Sequence, residues 1–205
     1  ASSQEPEPRG GGHALPIGYR SLTPLFSEQH AALPFRPRRD FAFARAMHAA
    51  PLALDEFMQA QAHFPIVFTR SSPSQPVALL GMSPGRSDFV DEEGGWRDGA
   101  YVPAYMRRFP FALVKESAGS GRMLLCANRT AANFAAGPDE ERLFDGGQPS
   151  PYARRVLAFC TRFEQALAKT RQTCQRLEAL GLLEDAKITV RRQDKARPIE
   201  IDGFK

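Results

Sequence analysis

At 205 residues, with 42% hydrophobic and 24% charged side chains, the chain has the length and makeup of a folded protein with a substantial core. That composition excludes wholesale disorder, and no run of roughly 18 apolar residues is present that could span a membrane as a helix. Net charge is +4, and three cysteines without a Cys-x-x-Cys spacing argue against a disulfide framework or zinc site and for a reducing cytoplasm.

The opening Ala-Ser-Ser-Gln-Glu-Pro-Glu-Pro-Arg-Gly-Gly-Gly lacks the apolar core of a signal peptide. It reads as a disordered or extended arm over residues 1–18, ahead of a single domain over 19–205. Residues 1–40 as a whole are rich in Pro and Gly and are expected to wrap the surface with little regular structure. Segment 41–48 is read as a strand from the alternation of Phe41 and Phe43, closed by Pro51. A short helix follows over 54–63, with Leu54, Phe57 and Met58 at helical spacing. Asp55 and Glu56 occupy its first turn, where the helix dipole favours acids, and Pro65 ends it.

Three strand pairs come next: 66–69 with 77–82, 88–90 with 96–97, and 111–115 with 122–127. Their loops are short and built from Gly, Ser, Pro and acids. Antiparallel pairing is therefore expected, since a parallel crossover needs a dozen or more residues. Residues 100–108 read as a short helix started by Val102-Pro103.

The clearest element is a helix over 150–181, with Ser150 as N-cap, Pro151 at the first helical position and Gly181 as the left-handed C-terminal residue. Val156, Cys160, Phe163, Leu167, Thr170, Cys174 and Leu177 alternate by four and three as a heptad seam. A rod of about 45 Å results. The seam can cover the sheet of its own chain, or it can pair with a protein partner or a second copy. A hairpin over 187–190 and 199–201 closes the chain. The fold class is α+β: a mainly antiparallel sheet with a short helix and one long C-terminal helix.

Several stretches together carry a family resemblance. They are Phe-Ala-Phe-Ala-Arg (41–45), His-Phe-Pro-Ile-Val-Phe (63–68), Val-Ala-Leu-Leu-Gly (77–81), Tyr-Val-Pro-Ala-Tyr-Met-Arg-Arg-Phe-Pro-Phe (101–111), Glu-Arg-Leu-Phe-Asp (141–145) and Pro-Ser-Pro-Tyr (149–152). In these motifs the chain resembles the bacterial SapC family, collinearly over about residues 20–204. Members of that family run on past the point that matches Gly203-Phe204, so a C-terminal tail is expected to be absent from this chain. The resemblance implies no catalytic residues and no cofactor. It implies a non-enzymatic binding or accessory protein, acting with a partner protein in peptide or protein modification or in nutrient uptake.

Two other function classes stand beside that one. A metal- or cosubstrate-dependent peptide-modifying enzyme would need convergent His and acid ligands, for which His48, Asp55, Glu56 and His63 are the candidates. Gly-Met-Ser-Pro-Gly (81–85) superficially matches a nucleophile elbow, but a strand rather than a helix is expected after it, so a β-turn is the better reading. A basic nucleic-acid-binding protein would use the positive patches at 150–181 and 187–197, which a solvated helix face explains equally well.

For a binding protein with a peptide ligand, the expected contact is Trp96, Tyr101, Tyr105, Arg107 and Arg108. Aromatic faces beside guanidinium groups are enriched where proteins grip partners. On a helix, residues 101, 105 and 108 share one face. The competing reading buries Trp96, Phe109 and Phe111 in the core.

Overall fold

Proline and glycine punctuation keeps the strands short, and tight reversals join most of them to their neighbours. The computed structural model describes residues 15–37, 39–116, 121–135, 137, 140–190 and 199–204. Its strands are β1 (Thr23–Pro24), β2 (Ala49–Pro51), β3 (Ile66–Phe68), β4 (Pro76–Leu79), β5 (Phe111–Lys115), β6 (Met123–Ala127), β7 (Phe144–Asp145), β8 (Gln148–Pro149), β9 (Asp185–Val190) and β10 (Ile199–Phe204). The helices are α1 (Ser27–His30), α2 (Phe57–Ala60), α3 (Ala104–Arg107) and α4 (Pro151–Ala179). Of the expected arm, residues 1–14 lie outside the described residues.

All strand pairs among the described residues are antiparallel, but they fall into separate sheets rather than one. A three-stranded sheet has the order β1-β6-β5, a five-stranded sheet the order β2-β4-β3-β10-β9, and β7 pairs only with β8. Three of the four expected hairpins form: β3 with β4, β5 with β6, and β9 with β10. The pair at 88–97 is reduced to a single bridge between Val90 and Trp96.

α4 joins the two larger sheets into one fold. Ser150 caps it by accepting from the Ala153 amide at 3.1 Å, and Gly181 follows it at φ 64°. Its first half, with Ala153 and Cys160, packs with Phe35, Phe111 and Leu143 beside the three-stranded sheet. Phe163 packs instead with Phe41, Phe64, Leu80 and Tyr105 in a second cluster, and Phe159 borders both. Further along, Thr170 accepts from the Leu54 amide at 3.0 Å while donating to Ala166 O at 2.7 Å. Glu178 accepts from the Ser74 amide.

The heptad seam is thus consumed inside the chain: Cys160, Phe163, Thr170 and Cys174 are buried. A protein partner or second copy on this helix would meet its opposite side, where Arg155, Arg162, Lys169 and Arg176 are exposed at seven-residue intervals. Among the described residues no helix is long and apolar enough to cross a membrane.

Two local readings are corrected. Residues 41–48 do not form a strand; Ala42–Ala44 is a 3-10 turn. The Asp40 carboxylate accepts from the Ala42 amide at 2.9 Å, and the Phe41 amide donates to Gly94 O at 2.9 Å, so the amides a ladder would use are taken. Phe41 and Phe43 then point to different neighbours: Phe41 lies 5.3 Å from Trp96, and Phe43 stacks on Phe109 at 3.7 Å. The helix at 54–63 is real but shorter, a 3-10 turn over Leu54–Glu56 running into α2. Met58 is 76% exposed, and Ala60 and Phe64 supply the inward contacts instead.

A candidate anion-binding cleft

The expected binding segment divides between core and surface. α3 is a single turn, so its two faces lie at once against the core and against an open cleft. Tyr105 and Arg108, expected on the contact surface, turn inward with 3% and 6% exposure. The Tyr105 hydroxyl donates to Ile17 O at 2.8 Å, tying down the end of the segment read as an arm over residues 1–18. Arg108 donates to the Glu164 carboxylate of α4 at 3.1 Å and lies 4.4 Å from the Tyr105 ring and 5.1 Å from the Phe163 ring. Burial pushes the Glu164 carboxyl above its ordinary range, and the neighbouring Arg108 and Arg171 pull it partly back. The Tyr105 hydroxyl and the Arg108 charge each have a partner, while Arg108 Nε is buried with no acceptor among the described residues. Their role here is structural.

Trp96 and Arg107 face the other way and line a cleft of about 510 Å³. Phe41, Val102 and Phe109 complete its apolar wall. Arg39 and Arg97 bring two more guanidinium groups, set against the carboxylates of Asp40 and Asp98. Two chain segments distant in sequence meet there because the 91–95 turn approaches residues 40–42. Gly94 makes that approach at φ +87°, and a Cβ on it would meet an Asp40 oxygen at 2.7 Å.

The guanidinium groups of Arg97 and Arg107 are held by rings rather than by acids. Arg97 lies 5.1 Å over Phe89, and Arg107 lies 5.7 Å from Tyr101 and 5.4 Å from Phe159. Arg107 also donates to the Tyr101 hydroxyl at 3.1 Å, and that hydroxyl donates to Glu56 at 2.9 Å. Burial, followed by the adjacent Glu56, raises the Tyr101 phenol to about 12, so it remains a donor at neutral pH. Among the described residues neither Arg97 nor Arg107 pairs with a carboxylate. The indole N–H of Trp96 is buried with no acceptor among the described residues.

Glu56 is the hub behind this wall. It is 6% exposed and accepts from the Ala53 amide at 3.1 Å and the Ala104 amide at 2.7 Å as well as from Tyr101. It therefore joins the 54–60 segment to α3. His48, Asp55 and His63 are exposed, and Asp55 pairs with Lys169 at 3.7 Å. The four candidate ligands do not converge, and among the described residues no group of three His, Cys, Asp or Glu side chains could hold a metal ion. The 81–85 segment is a turn between Leu79 and the Val90 bridge, without the helix a nucleophile elbow requires.

Arg39 and Arg97 are the cleft residues that the sequence did not single out. Arg97 directly follows Trp96 and so carried a signal in its neighbourhood; Arg39 sits in Pro-Arg-Arg-Asp, in a stretch read only as surface wrapping. No curated protein and no solved structure matches the chain. The SapC family model matches residues 25–205, a span that contains the cleft, the five-stranded sheet, β5 and β6 of the three-stranded sheet, and α4, and the chain belongs to the SapC family.

Proposed function

We propose that this SapC-family chain is a non-catalytic binding protein that works beside a partner in peptide or protein modification or in nutrient uptake, and that the cleft at Trp96 and Arg107 is its contact. One observation carries this reading: Arg97 and Arg107 are held on aromatic faces and, among the described residues, form no ion pair with a carboxylate, in a cleft open to solvent. Unpaired guanidinium forks held in place are suited to bind carboxylates or phosphates from outside. Three buried free thiols at Cys126, Cys160 and Cys174 agree with a reducing compartment, so the proposal includes a cytoplasmic location.

Affinity capture from the native cell tests it, with wild type compared against Arg97→Glu/Arg107→Glu. The expected result is a stoichiometric partner bound by wild type and lost from the charge-reversed variant. A partner retained undiminished by the variant would overturn the assignment of the cleft. A stoichiometric transition metal together with turnover of a peptide substrate would replace the binding reading with the enzymatic one.

A further inference from the structure

The chemistry of the cleft narrows what it can hold, and this inference rests on the binding role proposed above. Its volume of about 510 Å³ lies in the range of small-molecule and peptide side-chain sites. Among the described lining residues, Arg97 and Arg107 are the cations held on rings, and Asp98 directly follows Arg97 in the sequence. A single carboxylate matches these two guanidinium groups and meets less repulsion from Asp98 than a phosphate dianion would. The apolar side offers the partly exposed Trp96 ring, with Phe41 beside it at 5.3 Å and 57°.

Arg107 is the best prepared of the cations. Tyr101 spans from it to the buried Glu56, which is in turn fixed by two backbone amides. A guanidinium held in this way loses little freedom on binding, so more of each hydrogen bond to a ligand appears as affinity. Glu56 and Tyr101 are positioning residues, acting on a ligand only through Arg107.

We propose that this cleft binds a monocarboxylate carried on an aromatic ring, with the carboxylate on Arg97 and Arg107 and the ring against Trp96 and Phe41. The same chemistry is presented by a free aryl-alkyl acid and by the C-terminus of a peptide ending in an aromatic residue.

Trp96 is the only tryptophan in the chain, so its fluorescence reports this cleft alone. Titration with 3-phenylpropionate, and separately with the dipeptide Gly-Phe, should give a saturable change in that signal for at least one probe. Saturation by the free acid alone assigns a small-molecule source, and by the dipeptide but not its C-terminal amide a peptide source. Arg97→Ala/Arg107→Ala should weaken binding at least about tenfold while the melting temperature holds, because both side chains are exposed. Tyr101→Phe should weaken it by a smaller factor, through loss of the Arg107 hydrogen bond. No saturable change with either acid into the millimolar range would overturn the proposal. So would an equal response to 2-phenylethylamine or to inorganic phosphate, or undiminished binding by the double variant. Partner capture is read independently, so a failed titration beside a partner lost on charge reversal removes the ligand class and leaves the binding role standing.

Discussion

Arg107 and Arg108 are adjacent, carry the same charge and end the same single helical turn, yet they belong to different parts of the molecule. Arg108 is enclosed by Tyr19, Tyr105 and Phe163 and answers Glu164 of α4. Arg107 lies across Tyr101 and Phe159 at the rim of the cleft. In a low-dielectric interior a cation must bring its own anion, whereas at an open cleft it can wait for one. The same side chain is a structural brace in one position and an offer of binding in the next.

The long helix divides in the same way between a buried and an open face, and the largest effect is expected there. Phe163 is 4% exposed in the cluster that also holds Tyr105. Phe163→Ala should cost about 3–5 kcal/mol of unfolding free energy. Leu157, 38% exposed on the same helix, should cost only about 0.5 kcal/mol when changed to Ala. Chemical denaturation measures both, and equal losses would show that the two faces of α4 are not divided as described.

The two arginines come next. Arg108→Ala leaves Glu164 without its cation and should destabilise by roughly 3 kcal/mol, the lower end for a buried pair because the Glu164 side chain is 34% exposed. Arg107→Ala should stay within about 0.5 kcal/mol of wild type in the same measurement. A larger loss at Arg107 than at Arg108 would reverse the division between brace and binding group.

The smallest effect concerns reactivity rather than stability. Burial raises the thiols of Cys126 and Cys160 to about 11, and both are nearly inaccessible. Cys174, fully buried on α4, is shifted in the same direction. None of the three should react with a thiol-specific disulfide reagent in the native protein, and all three should react after denaturation. A fast native reaction would place at least one thiol outside the core in which all three are buried.

How much was legible in the sequence depends on how local the cause is. The extent of α4 was legible because Ser150, Pro151 and Gly181 act within one turn of the helix ends, and its buried stripe because a period of seven marks one face. The antiparallel hairpins were legible for a similar reason, as their loops are too short for any other pairing. The strand expected at 41–48 failed because Asp40 and Gly94 take the amides of Ala42 and Phe41, and Gly94 is remote in the chain.

By itself, then, the sequence determined the family, the α+β class, the capped helix and the pairing of neighbouring strands, all features set by periodicity and by residues a few positions apart. Only the tertiary structure decided which residues of 96–108 face inward. α3 is one turn long and has too little periodic pattern to choose a face; Glu164 and Ile17 chose it for Arg108 and Tyr105 from distant elements. The cleft was decided in the same way, because Arg39 reaches Trp96 and Arg107 only after the 91–95 turn has closed on residues 40–42, and no local spacing encodes that meeting.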